Sequence, residues 1–287
     1  MCFLAGMNGP RHWLLASNSD NPYATKNHLL AASGERHSYL AVRVVVPPAD
    51  VLVPWAGMLT RGVNSAGLGF TYAFVPERNM ADYPTQEWSA GMLANASTVD
   101  EAVAYLREDS TLPGNYLLAD RAGAMAAVEV GGGRVAVCGP ATGTEARANV
   151  LQRLAENPGP AWDEATASTH RHGRGSELLG ALDSATPEAL RQVLRDHQED
   201  GEPAGKHGRS LCNHGTSDGT ISSEIIDPAG HLWFGFGFPC GRSRGYEQDG
   251  RRPWGRVVRF SLPEDSESGD LTTADGAITP LGVRLMS

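Results

Sequence analysis

The sequence predicts an α+β protein built from layered antiparallel sheets with helices segregated from them. Two observations carry this. Short β-branched or apolar segments bounded by turn formers recur along the chain, and the few helical patterns come in blocks rather than alternating strictly with strands. A third, the absence of any internal repeat or long linker across 287 residues, predicts a single domain over 1–287 with one sizeable core.

Taken in order, Phe3 to Leu15 reads as a strand, a turn at Asn8-Gly9-Pro10 and a second strand through Trp13-Leu14-Leu15. Asn18-Ser19-Asp20-Asn21-Pro22 is then a cluster of turn formers that should end the strand. Residues 37–47 are β-branched up to the double proline Pro47-Pro48, and a further apolar piece runs from Val51 to Met58. Gly62 to Tyr72 reads as two strands about a tight turn at Asn64 to Gly67. Thr98-Val99-Asp100-Glu101 has capping-box spacing, which with Val103, Ala104 and Leu106 predicts a helix over 98–108.

Tyr116 to Ala119, Ala124 to Val130 and Arg134 to Val137 form a meander. Thr186-Pro187-Glu188 opens another helix, with proline where its missing N–H costs least. Gly219 to Ile226 and His231 to Phe236 flank the turn Asp227 to Gly230, and Trp233 to Phe236 reads as sheet core. A last strand covers Arg256 to Phe260, while Asn157 to Glu164 and 265–275 are expected as surface loops.

The net charge of -9, with no basic run, gives no reason to expect attraction to nucleic-acid phosphate. No apolar run is long enough to span a bilayer, and the opening residues lack the features of a signal peptide, so a cytoplasmic location is expected. Cys2, Cys138, Cys212 and Cys240 are too scattered for a disulfide framework and should be free thiols.

Cys2 stands apart from the other three. It is small enough for Met1 to be trimmed, leaving a residue that carries a thiol nucleophile and its own base. A free α-amine has a reference pKa of about 7.7–8.0, so it can take the thiol proton near neutral pH.

Several stretches together then resemble one family. They are Cys2 with the strands ending at Asn18-Ser19-Asp20, Asn64-Ser65-Ala66-Gly67-Leu68, Val128-Glu129, Ala148 to Leu151, and Ser168-Thr169-His170-Arg171. The tail Leu211-Cys212-Asn213-His214, Gly219 to Ser223 and Phe238-Pro239-Cys240 completes the series and is its most family-specific part. Over roughly residues 2–240 the order is similar to the penicillin acyltransferase-like N-terminal-nucleophile hydrolases (the isopenicillin-N acyltransferase and carcinine hydrolase group), relatives of choloylglycine hydrolases.

The resemblance implies a four-layer αββα fold with two stacked antiparallel sheets, and chemistry on linear amides. It implies Cys2 as nucleophile, Asp20 as the carboxylate that orients the freed amine, Asn149 as a donor to the oxyanion and Arg171 as the arginine that steadies the nucleophile's surroundings. Asn18 and Tyr72 are the expected substrate-binding residues, and Asn64 and Gly67 make a structural turn only. No cofactor and no metal are implied. The expected partner is a small-molecule amide, with a homo-oligomer possible and neither nucleic acid nor membrane expected.

Each role has a plain structural alternative. Asp20 could cap a turn, Asn149 could open a helix over Val150 to Glu156, and Arg171 could lie on a solvated basic face with His170 and His172. Arg174 rivals Arg171 for the family arginine. The sequence also departs from the family. Ser17 stands where an arginine is common, and Val150 where a histidine usually follows the asparagine. The strand Thr71-Tyr72-Ala73-Phe74 lacks the asparagine of bile-salt hydrolases, which argues against bile salts and leaves the second oxyanion donor to the backbone, to Tyr72 or to nothing at all.

Many members of this family expose their cysteine by internal self-cleavage, a step Cys2 does not require. Three other readings stay open: a dipeptidase-like member of the superfamily, a degenerate member that only binds a small molecule, and a zinc site made by Cys212, His214 and Cys240 with His207.

Overall fold

The computed structural model describes residues 2–10, 13–45, 57–75, 88–110, 112–138, 143–154, 163–197, 210–215, 217–241, 256–262, 267–273 and 276–287. The chain opens with β1 (Cys2–Asn8), β2 (Trp13–Pro22), β3 (Lys26–Ser33), β4 (Ser38–Val45), β5 (Leu59–Asn64) and β6 (Gly69–Phe74). Two helices follow, α1 (Trp88–Asn95) and α2 (Val99–Glu108), then β7 (Gly114–Ala119), β8 (Met125–Gly131), β9 (Arg134–Val137) and β10 (Thr144–Arg147). After α3 (Asp163–Gly180) and α4 (Pro187–Leu194) come β11 (Asp218–Asp227), β12 (His231–Phe236), β13 (Val257–Ser261), β14 (Gly269–Asp270) and α5 (Pro280–Leu285).

The strands form two antiparallel sheets. One has six strands in the order β10-β1-β2-β11-β12-β13, the other eight in the order β14-β3-β4-β5-β6-β7-β8-β9. Alternation along each strand gives every sheet two apolar faces. Leu4, Leu15, Val42, Val63, Ala73, Leu117, Ile226 and Phe234 meet between the sheets. Phe70, Tyr72, Tyr116 and Val128 face outward from the larger sheet onto α1 and α2, where Met92, Val103 and Leu106 cover them. Phe3, Ala5, Leu14 and Ala16 face the other way, under Leu179, Leu190 and Val193 of α3 and α4. The layers therefore run helix, sheet, sheet, helix, the αββα sandwich expected.

Most of the predicted hairpins form as read. Gly67 sits at φ +90 in the turn between β5 and β6, and the Asn64 side chain accepts from the Leu68 N–H while donating to Leu93 and Ala96 carbonyls. Thr98 caps α2 and Thr186 caps α4 through their hydroxyls. Phe234 and Phe236 lie in the inter-sheet core, while Trp233 is half-buried on the opposite face.

Five expectations are corrected. The turn formers Asn18 to Pro22 do not end β2, which continues through them because β1 and β11 pair with it on both sides. Strand β3 was not anticipated. No helix forms over residues 150–154; the Gln152, Arg153 and Leu154 N–H groups instead donate to the buried Glu129 carboxylate at 2.9, 2.8 and 2.9 Å. Helix α3 carries Ser168 to Arg171, where no helix was read. Within the expected loop over 265–275, Gly269 and Asp270 pair with β3 while Leu271 and Thr272 are buried. Most of the expected loop Asn157 to Glu164, and of the apolar piece Val51 to Met58, lies outside the described residues.

A buried ion pair bridges the two sheets. Arg61 on β5 and Glu224 on β11 are both buried, with Nε 3.3 Å from Oε2. Ser17 on β2 accepts from Arg61 Nε at 3.0 Å and donates to Glu224 at 2.8 Å, and Ser222 also donates to Glu224. Burial pushes the Glu224 carboxyl up, and the Arg61 guanidinium is the largest opposing cause.

Because the folded carboxyl titrates above its unfolded value, stability from this group is greatest at low pH and is lost as pH rises through that window. Removing Arg61 extends the window upward. Arg61→Leu should cost roughly 3–5 kcal/mol, and its Tm deficit should be larger at pH 8 than at pH 5 by calorimetry; an equal deficit at both would contradict the coupling.

Candidate active site

The six-stranded sheet sets the first geometry. Cys2 pairs with Ser19 across β1 and β2, and Asp20, the next residue, pairs with Thr220 of β11. Asp20 is buried, and its Oδ1 accepts from the Thr220 hydroxyl at 2.6 Å. Burial pushes the Asp20 carboxyl up; the chain's amino terminus, the Arg171 guanidinium and the Thr220 bond pull it down, and Asp218 adds a smaller push upward. Asp20 is thus a buried carboxylate one residue beyond the strand partner of Cys2, with Arg171 as a neighbouring cation.

Asn149 reaches Cys2 from the loop after β10. The Cys2 main-chain N–H donates to Asn149 Oδ1, and Arg171 Nη2 donates to the same oxygen at 3.0 Å. Asn149 Nδ2 donates to the Phe74 carbonyl at 2.6 Å. The amide orientation follows from its partners, since a guanidinium only donates and a carbonyl only accepts. One N–H of Nδ2 is thus taken by Phe74, and the amide nitrogen carries a second hydrogen.

The loop is clamped on both sides of Asn149. Asn115 Nδ2 donates to the Ala148 carbonyl at 2.7 Å and to the Val150 carbonyl at 2.9 Å, and Glu129 gathers the three N–H groups beyond. Arg171 is buried on α3 and also donates to Ser168 Oγ at 2.9 Å. It is not on a solvated face. Arg174, its rival, pairs instead with Asp196 at 2.9 Å and Glu177 at 3.0 Å. Gly175 brings α3 close to β1, since a Cβ there would lie 2.2 Å from the buried Phe3 ring.

The two expected substrate-binding residues fall elsewhere. Asn18 points toward the helix layer, where Nδ2 donates to the Leu194 and Leu211 carbonyls at 2.8 and 2.6 Å. Tyr72 lies on the outer face of the larger sheet, its hydroxyl on the Pro113 carbonyl at 2.9 Å and its ring 4.7 Å from that of Tyr116. Period-two alternation explains this: Thr71 and Ala73 face the inter-sheet space, so Tyr72 cannot.

Two residues at the site were not singled out from sequence. Arg61 Nη2 lies 3.5 Å from Cys2 Sγ and 3.5 Å from the Asn18 carbonyl oxygen. It brings a guanidinium from the opposite sheet to the neighbourhood that Ser17 leaves without one. Thr71 pairs directly with Arg61, and its buried hydroxyl has no hydrogen-bond partner among the described residues. No sequence signal marked either, because each depends on how two sheets face one another. Of the other thiols, Cys138 is pushed up to about 11 by burial and then by Glu129, and Cys212 is wholly buried. The arrangement around Cys2 brings a thiol, a main-chain nitrogen, two guanidiniums and an amide together, with the buried Asp20 carboxylate on the neighbouring strand.

Comparison with known proteins agrees with the architecture. Penicillin V acylase from Agrobacterium tumefaciens superposes with a TM-score of 0.57 at 14% identity, over 97% of this chain and 94% of that one. A variant of the conjugated bile acid hydrolase from Clostridium perfringens gives 0.56 at 13% identity over 98% and 100%. The Caenorhabditis elegans ortholog of N-acylethanolamine-hydrolyzing acid amidase gives 0.51 at 12% identity over 80% and 93%. At these identities the likeness is one of fold. No curated protein sequence matches the chain. The family described as acyl-coenzyme A:6-aminopenicillanic acid acyl-transferase matches residues 6–231, most of the chain. The protein accordingly belongs to that family, among enzymes of amide hydrolysis and acyl transfer.

Proposed function

We propose that this protein is a cysteine amidase or acyltransferase that cleaves a linear C–N amide of a small molecule through a thioester on Cys2. The observation that carries this is the shared contact at Asn149 Oδ1. There the Cys2 main-chain nitrogen and Arg171 converge, with Arg61 beside the sulfur.

Removal of Met1 turns the Cys2 nitrogen into an amine. The thiol proton passes to that amine, and the thiolate forms a bond to the amide carbonyl carbon as the carbonyl π pair moves onto oxygen. Asp20 and Asn149 Oδ1 hold the resulting ammonium, and the Arg61 guanidinium offers a positive charge to the thiolate.

The oxyanion takes the second N–H of Asn149 and the Thr71 hydroxyl. Collapse breaks the C–N bond, and the ammonium proton leaves with the amine. Water, deprotonated by the same amine, then attacks the thioester, breaking C–S and restoring the thiol. Hydrolysis is favoured over transfer because water is always at hand. The Arg61 contact supports the catalytic reading over a degenerate, binding-only member, a reading that rested in part on the missing arginine at Ser17.

In steady-state assays on acyl-amide substrates, Cys2→Ala should lose kcat by about 10³-fold or more and Asp20→Asn should lose most of it. Full activity in either overturns the assignment. Thr71→Val should lower kcat by about 10²-fold with KM little changed; a change confined to KM would remove Thr71 from the oxyanion site. Thr220→Ala removes a bond that favours ionised Asp20. Its kcat/KM profile should therefore show an acid limb shifted to higher pH, and an unmoved limb would mean that Asp20 does not need to be ionised.

A further inference from the structure

We propose that His197, Cys212, His214 and Cys240 bind one thiophilic divalent cation, zinc by preference, in a structural site separate from the amide-cleaving residues. The one donor atom that each of the four offers lies within 4.8 Å of all the others. His214 Nε2 is 3.3 Å from Cys212 Sγ and 3.3 Å from Cys240 Sγ. A tetrahedral ion with Zn–S of about 2.3 Å and Zn–N of about 2.0–2.1 Å requires donor atoms about 3.3–3.8 Å apart, so small adjustments would close the site.

Two cysteines and two histidines form a complete four-ligand set, the composition of a closed structural site with no position left for substrate. A second observation points to a ligand. Nε2 of His197 is buried and has no hydrogen-bond partner among the described residues, a cost that a metal bond would remove. The rings are held by their neighbours as well. His214 stacks on Phe238 at 4.0 Å between centroids, and the His197 ring stands edge-on to it at 4.7 Å. The sequence offered Cys212, His214 and Cys240 but took His207 as the fourth ligand. His207 lies outside the described residues, and His197 supplies the fourth donor.

The four ligands come from separate segments: the end of the stretch after α4, the strap over 210–215, and the turn after β12. The strap touches the active site through Asn213, whose N–H donates to the Thr220 hydroxyl at 2.9 Å, the same hydroxyl that holds Asp20. An ion here would tie the strap down and so keep Thr220 and Asp20 in place, without taking part in the reaction.

The test is metal analysis of the purified full-length protein by mass spectrometry, followed by chelation and refilling with zinc or cobalt. The expected result is one zinc per chain, with cobalt giving thiolate-to-metal charge-transfer absorption and the chelated protein melting at lower temperature until zinc is restored. Cys2→Ser should still bind one equivalent, while Cys240→Ser and His197→Ala should each weaken binding at least tenfold. If Cys240→Ser fails to fold, His197→Ala and the chelation series still decide. Protein that takes up no zinc or cobalt when offered either, or that carries a Cys212–Cys240 disulfide when isolated under reducing conditions, overturns the site and leaves the proposed function untouched.

Discussion

The contact between Arg61 and Glu224 is the constraint on which the site depends. Two sheets stacked through apolar side chains can slide, because apolar packing has little directional preference. A buried guanidinium fixed on a buried carboxylate has a great deal. Glu224 on the smaller sheet receives Arg61, Ser17 and Ser222, and Arg61 in turn reaches the Cys2 sulfur. Such a pair is an expensive way to stabilise a core. Its return here is registration: the end of β1 that carries the thiol is held against the strand of the other sheet that carries Arg61 and faces Thr71.

Around this anchor the second sheet contributes the rest. The loop after β10 carries Asn149, and its conformation is set by two side chains from adjacent strands, Asn115 on β7 and Glu129 on β8. Both are buried, and the Asn115 amide nitrogen and the Glu129 carboxylate serve backbone groups that would otherwise lack partners. Asn149 needs such support, because three separate groups meet on its amide: the Cys2 nitrogen, Arg171 and the Phe74 carbonyl. Helix α3 comes close enough to deliver Arg171 because Gly175 leaves room for Phe3.

The sequence was most readable where local chemistry decides. The β5–β6 and β11–β12 turns, the caps at Thr98 and Thr186, and the meander from β7 to β9 all follow from residue types within a few positions. It was least readable where tertiary partners override local preference. Asn18 to Pro22 look like a turn, yet β11 holds them extended along one side and β1 along the other as far as Ser19. Helix α3 contains Gly173 and Gly175, poor helix formers that hide its period.

The site divides in the same way. Cys2, Asn149 and Arg171 meet through hydrogen bonds, and Asp20 lies one residue past the strand partner of Cys2. Asn18 and Tyr72 do not join them, because strand alternation turns both outward. No role was read for Arg61, Glu224, Thr71 or Thr220, since what they do depends on contacts across long stretches of chain.

The central claim is that the amino-terminal residue of the mature protein is the nucleophile. It is tested most directly by intact-protein mass spectrometry before and after reaction with a thiol-reactive acyl probe, with the adduct mapped by peptide analysis. The account predicts a mass lacking Met1 and a single adduct on Cys2. An active protein that retains Met1, or one labelled only at Cys138, Cys212 or Cys240, would contradict it.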